Sequence, residues 1–371
     1  MTMFVTFAVI AYNEEKTLPE LLKQIAAQDY PHKSMEILLV DSESADGTKK
    51  VMEEFAGREG KSFAAVRVLD NPGRTLPCGW NVILKEATGE AIVRVDAHAE
   101  IPADFVSKNV SVLMEGEDVV GGRRPCITDE ETPWKNTLLM AESSMFGSSF
   151  ASYRRNGKAA GDKNSTEKLY VNSVFHGMYR KKVFDRVGPY NESLKRTEDN
   201  EMHWRIRQAG FKIRFAPQIV SREHIRGSLK AMLAQKAANG YWIALTCAVC
   251  PRCLSVFYFV PLVFTLLAFL GTGISIGGAV CGATGVFIRT VQILTGLLWA
   301  LYISLAVFMS MNAGVHNRDR KYYFWMLPVL FLLLHVSYGL GTLAGFICLP
   351  FKRGQLKKPQ ALSEGGKDCT L

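Results

Sequence analysis

The chain has 371 residues, 48% of them hydrophobic, and a formal net charge of +9. A chain of this length has room for more than one domain, and its eight cysteines are too few and too scattered for a disulfide scaffold. Its positive charge does not indicate a nucleic-acid partner, because the sequence has no basic helix, zinc finger or RNP-like motif.

The N-terminal part of the chain alternates apolar strands with helices. Residues 4–11 predict a buried first strand rather than a signal peptide, since no positive residue precedes them and two glutamates follow. Thr17 and Glu20 have the spacing of a capping box, so a helix is expected over 17–28. The alternation continues with strands at 36–40, 65–69 and 92–96 and helices at 49–55 and 80–87. This order predicts a parallel sheet with right-handed crossovers.

Two of these strands end in an aspartate. Asp41 follows the second strand and Asp96 ends the fourth, and open parallel sheets bind ligands beyond the carboxyl ends of their strands. Neither G-x-G-x-x-G nor G-x-x-x-x-G-K-[ST] occurs, which argues against a dinucleotide fold and a P-loop nucleotide hydrolase. We therefore predict a site at which acidic residues and a metal ion bind a nucleotide.

Asp96 and His98 form the candidate metal site. They lie two residues apart at a strand end, so their side chains point the same way and can approach one ion. A carboxylate and an imidazole suit a divalent cation such as Mn²⁺, whereas Mg²⁺ prefers oxygen ligands. The structural alternative is that Asp96 caps the turn before a helix beginning at Pro102, and that His98 is a surface histidine.

A second acidic cluster opens a helix predicted over 197–210. It follows a strand expected at 119–122 and a polar segment over 143–168 that we expect to be a loop. Glu198 and Asp199 fall in the first turn of the helix, where the helix dipole favours negative charge, so simple capping is one interpretation. Two adjacent carboxylates also fit a general base and its support.

The last third of the chain is predominantly apolar. Residues 254–288 and 290–315 contain no charged residue or histidine, and residues 322–351 contain only His335. Each run exceeds the roughly 20 residues that a membrane-spanning helix needs. We predict a soluble domain over 1–227, an interfacial amphipathic linker over 228–253, three or four transmembrane helices over 254–351 and a basic polar tail over 352–371.

The number of spans depends on the first apolar run, which is either one span or two short spans that turn near Gly271 and Gly273. Three spans put the basic segment 318–321 on the cytoplasmic side and leave the tail outside, whereas four spans do the reverse. The tail carries the larger basic set, so the charges favour four spans (Lys352, Arg353, Lys357, Lys358, Lys367).

Together these stretches resemble the membrane-anchored family 2 glycosyltransferases, and within them the branch that extends lipid-linked sugars in the assembly of succinoglycan. The matching pieces follow one another over most of the chain: AYNEE (11–15), LLVDSESADGT (38–48), NPGRTLPCGWN (71–81), VRVDAHAEIP (93–102), VVGGR (119–123), FHGMYRKKVFDRVG (175–188), TEDNEMHWRIRQAGFKI (197–213) and HVSYGLG (335–341). The resemblance implies an α/β GT-A domain with a mixed sheet, followed by a bundle of transmembrane helices.

For the donor, the resemblance implies roles at five positions. Asp41 would bind the uracil or ribose of the nucleotide, with Ala11 and Glu14 lining the same pocket. Asp96 and His98 occupy the place of the family's metal-binding D-x-D motif, where Asp96 would also face the donor diphosphate. His98 is a departure, because most members have a second aspartate there.

For the transfer step, the resemblance implies that Asp199 is the catalytic base and that Glu198 supports it, with His224 as a further contact to the metal or phosphate. The processive synthases of the family carry Gln-x-x-Arg-Trp before their membrane segments. Here Gln235 is followed by Ala238 and Asn239 at the Arg and Trp positions. The resemblance therefore favours the addition of one sugar per acceptor.

The implied activity is that of an inverting hexosyltransferase with a divalent cation, Mn²⁺ or Mg²⁺, as cofactor. It would move a sugar, with glucose expected, from a nucleotide-diphosphate sugar such as a UDP-sugar to a lipid-linked saccharide. One alternative is a polyprenyl-phosphate sugar synthase, and another is a non-catalytic membrane scaffold with the same fold. We expect a multi-pass protein of the bacterial cytoplasmic membrane with its catalytic domain on the cytoplasmic side.

Overall fold

A computed structural model describes residues 2–147, 169–283, 285–316 and 321–357. Most of the loop predicted over 143–168 and most of the basic tail predicted over 352–371 lie outside these ranges.

The N-terminal part alternates strands and helices, as predicted. In chain order the elements are β1 (Val5–Ala11), α1 (Leu18–Ala26), β2 (Met35–Asp41), α2 (Thr48–Glu59), β3 (Ala65–Asp70), α3 (Leu76–Glu86) and β4 (Ala91–Asp96). The four strands pair in parallel in the order β3-β2-β1-β4. The predicted parallel pairing of this part is confirmed.

The rest of the domain turns this sheet into a mixed one. Its elements are β5 (Ala99–Glu100), α4 (Phe105–Met114), β6 (Val119–Arg123), β7 (Cys126–Ile127), α5 (Pro133–Ser143), β8 (Leu169–Tyr170), β9 (Met178–Arg180), α6 (Lys181–Val187), α7 (Glu198–Gln208), β10 (Ile213–Val220) and β11 (Arg222–His224). The large sheet has the order β3-β2-β1-β4-β9-β6-β10-β8, with β9 antiparallel to both β4 and β6. A second sheet has the order β5-β11-β7. The predicted α/β class with a mixed sheet is confirmed.

The large sheet is buried on both faces. Along β1, Val5, Phe7 and Val9 enter one core, and Ala8 and Ile10 enter the other. Helices α1, α2 and α4 cover the first face, and α3, α6 and α7 cover the second. This double burial explains why the strands are continuous apolar runs in the sequence rather than alternating patterns.

Two local predictions about helix starts are wrong. Thr17 precedes α1 with a helical backbone, φ −96° and ψ −36°, and its hydroxyl donates to the Glu14 carboxylate instead of closing a capping box. A side-chain cap normally needs an extended backbone at that position. Helix α3 begins at Leu76 rather than near residue 80, because Pro77 is compatible with the first turn of a helix.

In the described residues, four α-helices follow the α/β domain: α8 (Leu229–Thr246), α9 (Val260–Val280), α10 (Val286–His316) and α11 (Leu327–Lys352). Among the described residues, three helices are long and apolar enough to cross a membrane, namely α9, α10 and α11. Helix α9 runs unbroken through Gly271 and Gly273. The turn expected there is wrong, and the described part of the chain therefore lacks the fourth span that the tail charges favour.

Candidate active site

Three strand ends bring sequence-predicted residues to one edge of the large sheet. Ala11 of β1 pairs with Asp41 of β2, and Ile10 of β1 pairs with Asp96 of β4. The ends of β2 and β4 therefore flank the end of β1. This is the edge at which parallel sheets bind ligands.

Asp41 begins a tight turn at this edge. It is 3% exposed, and its two carboxylate oxygens accept from the backbone N–H of Ser44 at 3.4 and 3.2 Å. The backbone oxygen of Ala11 accepts from the N–H of Ser42 at 2.9 Å, which ties the turn to β1. These bonds fix the position of the carboxylate without a ligand.

Glu14 joins the loop after β1 to the segment after β4. Its Oε1 lies 3.1 Å from Nδ1 of His98, and its Oε2 accepts from the Thr17 hydroxyl. Burial opposes the charge of Glu14, but the hydrogen bonds from His98 and Thr17 leave its pKa lower than usual. The bond to Glu14 also raises the pKa of His98. Because Nδ1 of His98 is paired with a carboxylate, Nε2 is the nitrogen that can bind a further ligand.

Asp96 is held from two sides. Nη2 of Arg94 lies 2.9 Å from its Oδ1, and Nε2 of His176 lies 3.6 Å from its Oδ2 and accepts from its backbone N–H at 3.3 Å. Burial alone would raise the pKa of Asp96, but the neighbouring Arg94 guanidinium outweighs it and holds that pKa well below its usual range. His176 is itself kept neutral, because burial lowers its pKa, and its Nδ1 lies 2.8 Å from the Ser221 hydroxyl.

Arg94 is a buried cation between two candidate carboxylates. Its side chain is 4% exposed, and its Nη1 lies 3.9 Å from Oδ1 of Asp199 in addition to the contact with Asp96. Its guanidinium also lies over the rings of Trp80 and Phe175, at 5.2 and 5.7 Å. Arg94 thus links the end of β4 to the start of α7 and offsets negative charge at both.

Glu198 and Asp199 have different environments at the start of α7. Glu198 is 5% exposed, and burial together with the neighbouring charge of Asp199 raises its pKa to about 8. The Asp199 side chain is 27% exposed. Burial thus disfavours the charged form of Glu198, and Asp199 is the more accessible carboxylate of the pair.

Helix α8 fixes the backbone just before this pair. Thr197 has φ 67°, a left-handed conformation that is uncommon for a β-branched residue. Its hydroxyl lies 2.6 Å from the Thr246 hydroxyl, and Nη1 of Arg196 donates to Oδ1 of Asn239 at 2.9 Å. Both partners belong to α8, so the helix before the apolar segments positions the acidic pair.

His224 lies on β11, beside the segment that carries His98. In the antiparallel pairing of β5 with β11, the register continued by one residue sets His224 opposite His98. Nε2 of His224 lies 3.0 Å from Glu100, and its Nδ1 lies 2.5 Å from Asp129. Both ring nitrogens already face carboxylates. A contact of His224 with metal or phosphate stays a prediction, and it would require the release of one of these partners.

Sequence reasoning does not identify Arg94 and His176, the two residues that hold Asp96. Arg94 does leave a signal, since it is a charge inside an apolar strand and lies two residues before Asp96, on the same face. His176 leaves none, because it reaches Asp96 from 80 positions away in the sequence. Its φ of 47° is visible only in the structure.

The residues at the end of β4 suit a divalent cation. Asp96 offers an ionised oxygen, and His98 offers an imidazole whose other nitrogen is paired with Glu14, as is usual for metal-ligating histidines. The described residues contain no group of three or more His, Cys, Asp or Glu side chains that could enclose an ion. An ion held here would need further ligands from a diphosphate and water. The mixed nitrogen and oxygen set favours Mn²⁺.

Comparison with known proteins connects this geometry to one family. Residues 6–188 match the family model described as Glycosyl transferase family 2. A relative from Methanococcus voltae, dolichyl N-acetyl-alpha-D-glucosaminyl phosphate 3-beta-D-2,3-diacetamido-2,3-dideoxy-beta-D-glucuronosyltransferase, is 26% identical over 349 residues, which cover 91% of this chain and 95% of the relative.

Two bacterial relatives match over shorter stretches. Undecaprenyl-phosphate 4-deoxy-4-formamido-L-arabinose transferase of Edwardsiella ictaluri is 34% identical over 134 residues, 35% of this chain and 39% of the relative. Succinoglycan biosynthesis protein ExoA of Rhizobium meliloti is 26% identical over 206 residues, 54% of this chain and 57% of the relative. The chain therefore spans nearly all of the archaeal relative but less than two thirds of these two.

A solved structure supports the same fold. The mannosyltransferase PcManGT from Pyrobaculum calidifontis, in complex with GDP-Man and Mn²⁺, has a TM-score of 0.55 and 18% sequence identity, and the match covers 91% of this chain and 87% of that one. At this identity the likeness concerns the fold.

Proposed function

We infer that this chain is a member of glycosyl transferase family 2, with a GT-A-like α/β domain and C-terminal helices that fit a membrane anchor. From this premise we propose that it transfers single sugars from a nucleoside-diphosphate sugar to a lipid-linked acceptor, with inversion. The observation that carries the proposal is the pair at the start of α7. Asp199 is accessible there, while Glu198 is buried. An accessible carboxylate beside a site for a nucleotide is the arrangement that a single displacement needs.

In the proposed reaction, an acceptor hydroxyl attacks the anomeric carbon of the donor sugar on the side opposite the diphosphate. The new carbon–oxygen bond forms as the bond to the diphosphate oxygen breaks, and the electron pair leaves with the nucleoside diphosphate. Asp199 takes the hydroxyl proton. Because there is one displacement, an α-linked donor gives a β-linked product.

The donor side of the site would bind and orient the leaving group. Asp41, Ala11 and Glu14 line the proposed nucleotide pocket, and Asp96 and His98 would hold the divalent cation, which when bound offsets the charge of the departing diphosphate. Arg94 contacts both Asp96 and Asp199. It would therefore fix the distance between the diphosphate site and the base.

For the donor we propose UDP-glucose, on the resemblance to enzymes of exopolysaccharide assembly. For the location we propose the bacterial cytoplasmic membrane, with the catalytic domain on the cytoplasmic side, where nucleotide sugars are made.

Two classes of lipid acceptor are candidates, and each of them is named by one of the relatives. The names of relatives include an undecaprenyl-phosphate transferase and a transferase for a dolichyl-phosphate-linked sugar. We propose the second class, a lipid that already carries a sugar, because the relative of that class matches 91% of this chain rather than 35%.

The test supplies the purified protein and donor with either undecaprenyl monophosphate or an undecaprenyl-diphosphate-linked sugar. Extension of only the sugar-bearing lipid is expected, whereas loading of the monophosphate alone would support the synthase alternative.

Replacing Glu14 with Gln is expected to weaken metal binding at His98. The amide keeps the size of the side chain but loses the charge that makes the His98 imidazole a stronger ligand. Mutation of a residue that hydrogen-bonds to a metal-ligating histidine typically lowers metal affinity by about 10–100-fold. The measurement is the Mn²⁺ concentration that gives half-maximal release of nucleoside diphosphate. Glu15→Gln is the matched control, because Glu15 is exposed and bonds to the Gly47 N–H instead. An unchanged Mn²⁺ requirement in Glu14→Gln would contradict the role of His98 as a ligand.

A further inference from the structure

We propose that α9 and α10 alone cross the membrane, as a hairpin, and that α11 lies flat between the catalytic domain and the lipid. Helix α11 is long and apolar enough to be a third span. In the proposed arrangement it is instead an apolar surface that docks the catalytic domain onto the bilayer, and both of its ends stay on the catalytic side.

The first observation is that both ends of α11 are hydrogen-bonded to the catalytic domain. Before the helix, the backbone oxygen of Lys321 accepts from Nδ2 of Asn136 at 3.1 Å, and the N–H of Tyr323 donates to the Thr137 hydroxyl at 2.8 Å. Beyond the helix, the backbone of Lys357 is bonded to the side chains at 191 and 193, with its oxygen 2.8 Å from Nδ2 of the asparagine and its N–H 3.1 Å from the serine hydroxyl.

The middle of α11 is attached as well. His335 Nε2 donates to the backbone oxygen of Phe146 at 2.6 Å, in the segment after α5. Helix α11 is also in backbone contact with α8, since a Cβ atom on Gly240 would overlap the Tyr338 carbonyl and one on Gly341 would overlap the Ala237 carbonyl. Helix α11 is therefore fixed along its length to the surface formed by α5 and α8.

This attachment is incompatible with α11 as a span. Its 26 residues extend about 39 Å, more than the roughly 30 Å hydrocarbon core. If α11 crossed, α5 and α8 beside it would enter the hydrocarbon. Helix α8 carries Lys230, Gln235, Lys236 and Asn239, and charged residues are costly at that depth. Lys236 is paired with Glu142 of α5 at 2.9 Å, which would add a second charge.

Burial separates α11 from the other two apolar helices. Within its most apolar stretch 39% is buried, compared with 11% for α9 and 17% for α10. Helix α9 leaves the middle of α11, where Gly339 contacts Thr265 and Pro261, and it then packs on α10 from Gly271 to Gly278. The 21 residues of α9 extend about 31 Å in all, and because its first two turns pack on α11, the hairpin projects from α11 with the remainder of that length.

The exposed side of α11 is suited to lipid. Five of its exposed large apolar residues recur at spacings of four and seven, which places them on one stripe opposite α8 (Val329, Leu333, Leu340, Ile347, Phe351). Exposed Tyr323 and Trp325 precede the helix, and such aromatic residues concentrate at membrane interfaces. The stripe is continuous with the lipid-facing hairpin, so the occupant we assign to it is the hydrocarbon of the near leaflet.

The arrangement also removes the conflict between the two basic segments. With two crossings, the described basic residues on either side of α11, Lys321 before it and Arg353 after it, both lie on the side of the catalytic domain. Three or four crossings would place one of them on the far side. At the other end of the hairpin, Arg289 in the first turn of α10 is a single basic residue, fewer than the basic residues at the catalytic side.

The test compares three thiols of the full-length protein in intact cells treated with a membrane-impermeant maleimide. Gly57→Cys reports the catalytic domain and Gly354→Cys reports the end of α11, because a Cβ atom at either glycine meets no atom within 4 Å. The native Cys281, which is exposed in the hairpin turn, reports the far side. Each thiol is quantified by peptide mapping before and after the cells are permeabilised, with Cys281→Ser as the control for its signal.

We expect Gly354→Cys to behave like Gly57→Cys and opposite to Cys281. With the catalytic domain in the cytoplasm, only Cys281 is labelled in intact cells. Labelling of Gly354→Cys together with Cys281 would show that α11 crosses and would overturn the proposal. Protection of Cys281 together with Gly57→Cys would show that the hairpin does not cross and would overturn it equally. The result does not depend on transferase activity, so it is separable from the proposed function.

Discussion

Replacing Asp199 with asparagine is expected to lower the rate of sugar transfer by about 10²–10⁴-fold, the usual contribution of a general base. The variant should fold and bind donor, because the amide has the same shape and the contact of Asp199 with Arg94 is long, at 3.9 Å. The measurement is the initial rate of nucleoside-diphosphate release, with donor affinity determined separately by titration. Near-normal turnover would remove Asp199 from the mechanism.

Glu198→Gln is the matched control for that variant. Burial and the neighbouring Asp199 raise the pKa of Glu198 and disfavour its charged form, so a neutral amide should replace the native side chain with a loss of only a few-fold. Equal losses in the two variants would indicate that the pair acts as one unit. A much larger loss in Glu198→Gln than in Asp199→Asn would reassign the base to Glu198.

Replacing Arg94 with methionine is expected to destabilise the catalytic domain by about 3–5 kcal/mol, because removal of one partner of a buried ion pair leaves the other charge uncompensated. For a domain of this size, that loss corresponds to a fall of roughly 6–20 °C in the midpoint of thermal unfolding. The midpoint is measured on the full chain in detergent. Transfer activity should also fall, since Arg94 contacts both Asp96 and Asp199.

Two further variants test the physical reason for the Arg94 effect. Arg58→Met removes an arginine that is 62% exposed and paired with Glu59, and it should cost less than about 1 kcal/mol. Adding Asp96→Asn to Arg94→Met should recover part of the lost stability, because the uncompensated carboxylate is then neutral and the two changes are not additive. If Arg94→Met unfolds at the same temperature as Arg58→Met, the buried cation does not stabilise the site.

The first half of the fold could be predicted because the hydrophobic pattern of each segment agrees there with its place in the sheet. Strands β1, β2 and β4 are apolar runs buried on both faces, with helices between them. The second half could not be predicted in the same way. Strand β9 has only three residues, and its insertion between β4 and β6 depends on pairings distant in sequence. No hydrophobic period can reveal so short a strand.

The site shows the same division. Asp41, Asp96, Glu198 and Asp199 could be located because they stand at the ends of predicted elements. The sequence could not show that Glu198 is buried while Asp199 is more exposed, since both stand in the first turn of one helix. The hydropathy of α11 likewise indicates that the helix is removed from water. It does not show whether α11 crosses the membrane or lies between the lipid and the catalytic domain. That distinction depends on tertiary hydrogen bonds at its ends.

The most direct measurement is the release of nucleoside diphosphate by the detergent-purified protein from a panel of UDP- and GDP-sugars, with a sugar-bearing lipid acceptor present. The reactions contain Mn²⁺, Mg²⁺ or a chelator. We expect release from one donor, UDP-glucose, that requires the divalent cation and is lost in Asp199→Asn. No release from any donor with any cation, or release that persists fully in chelator, would contradict the proposed transferase site.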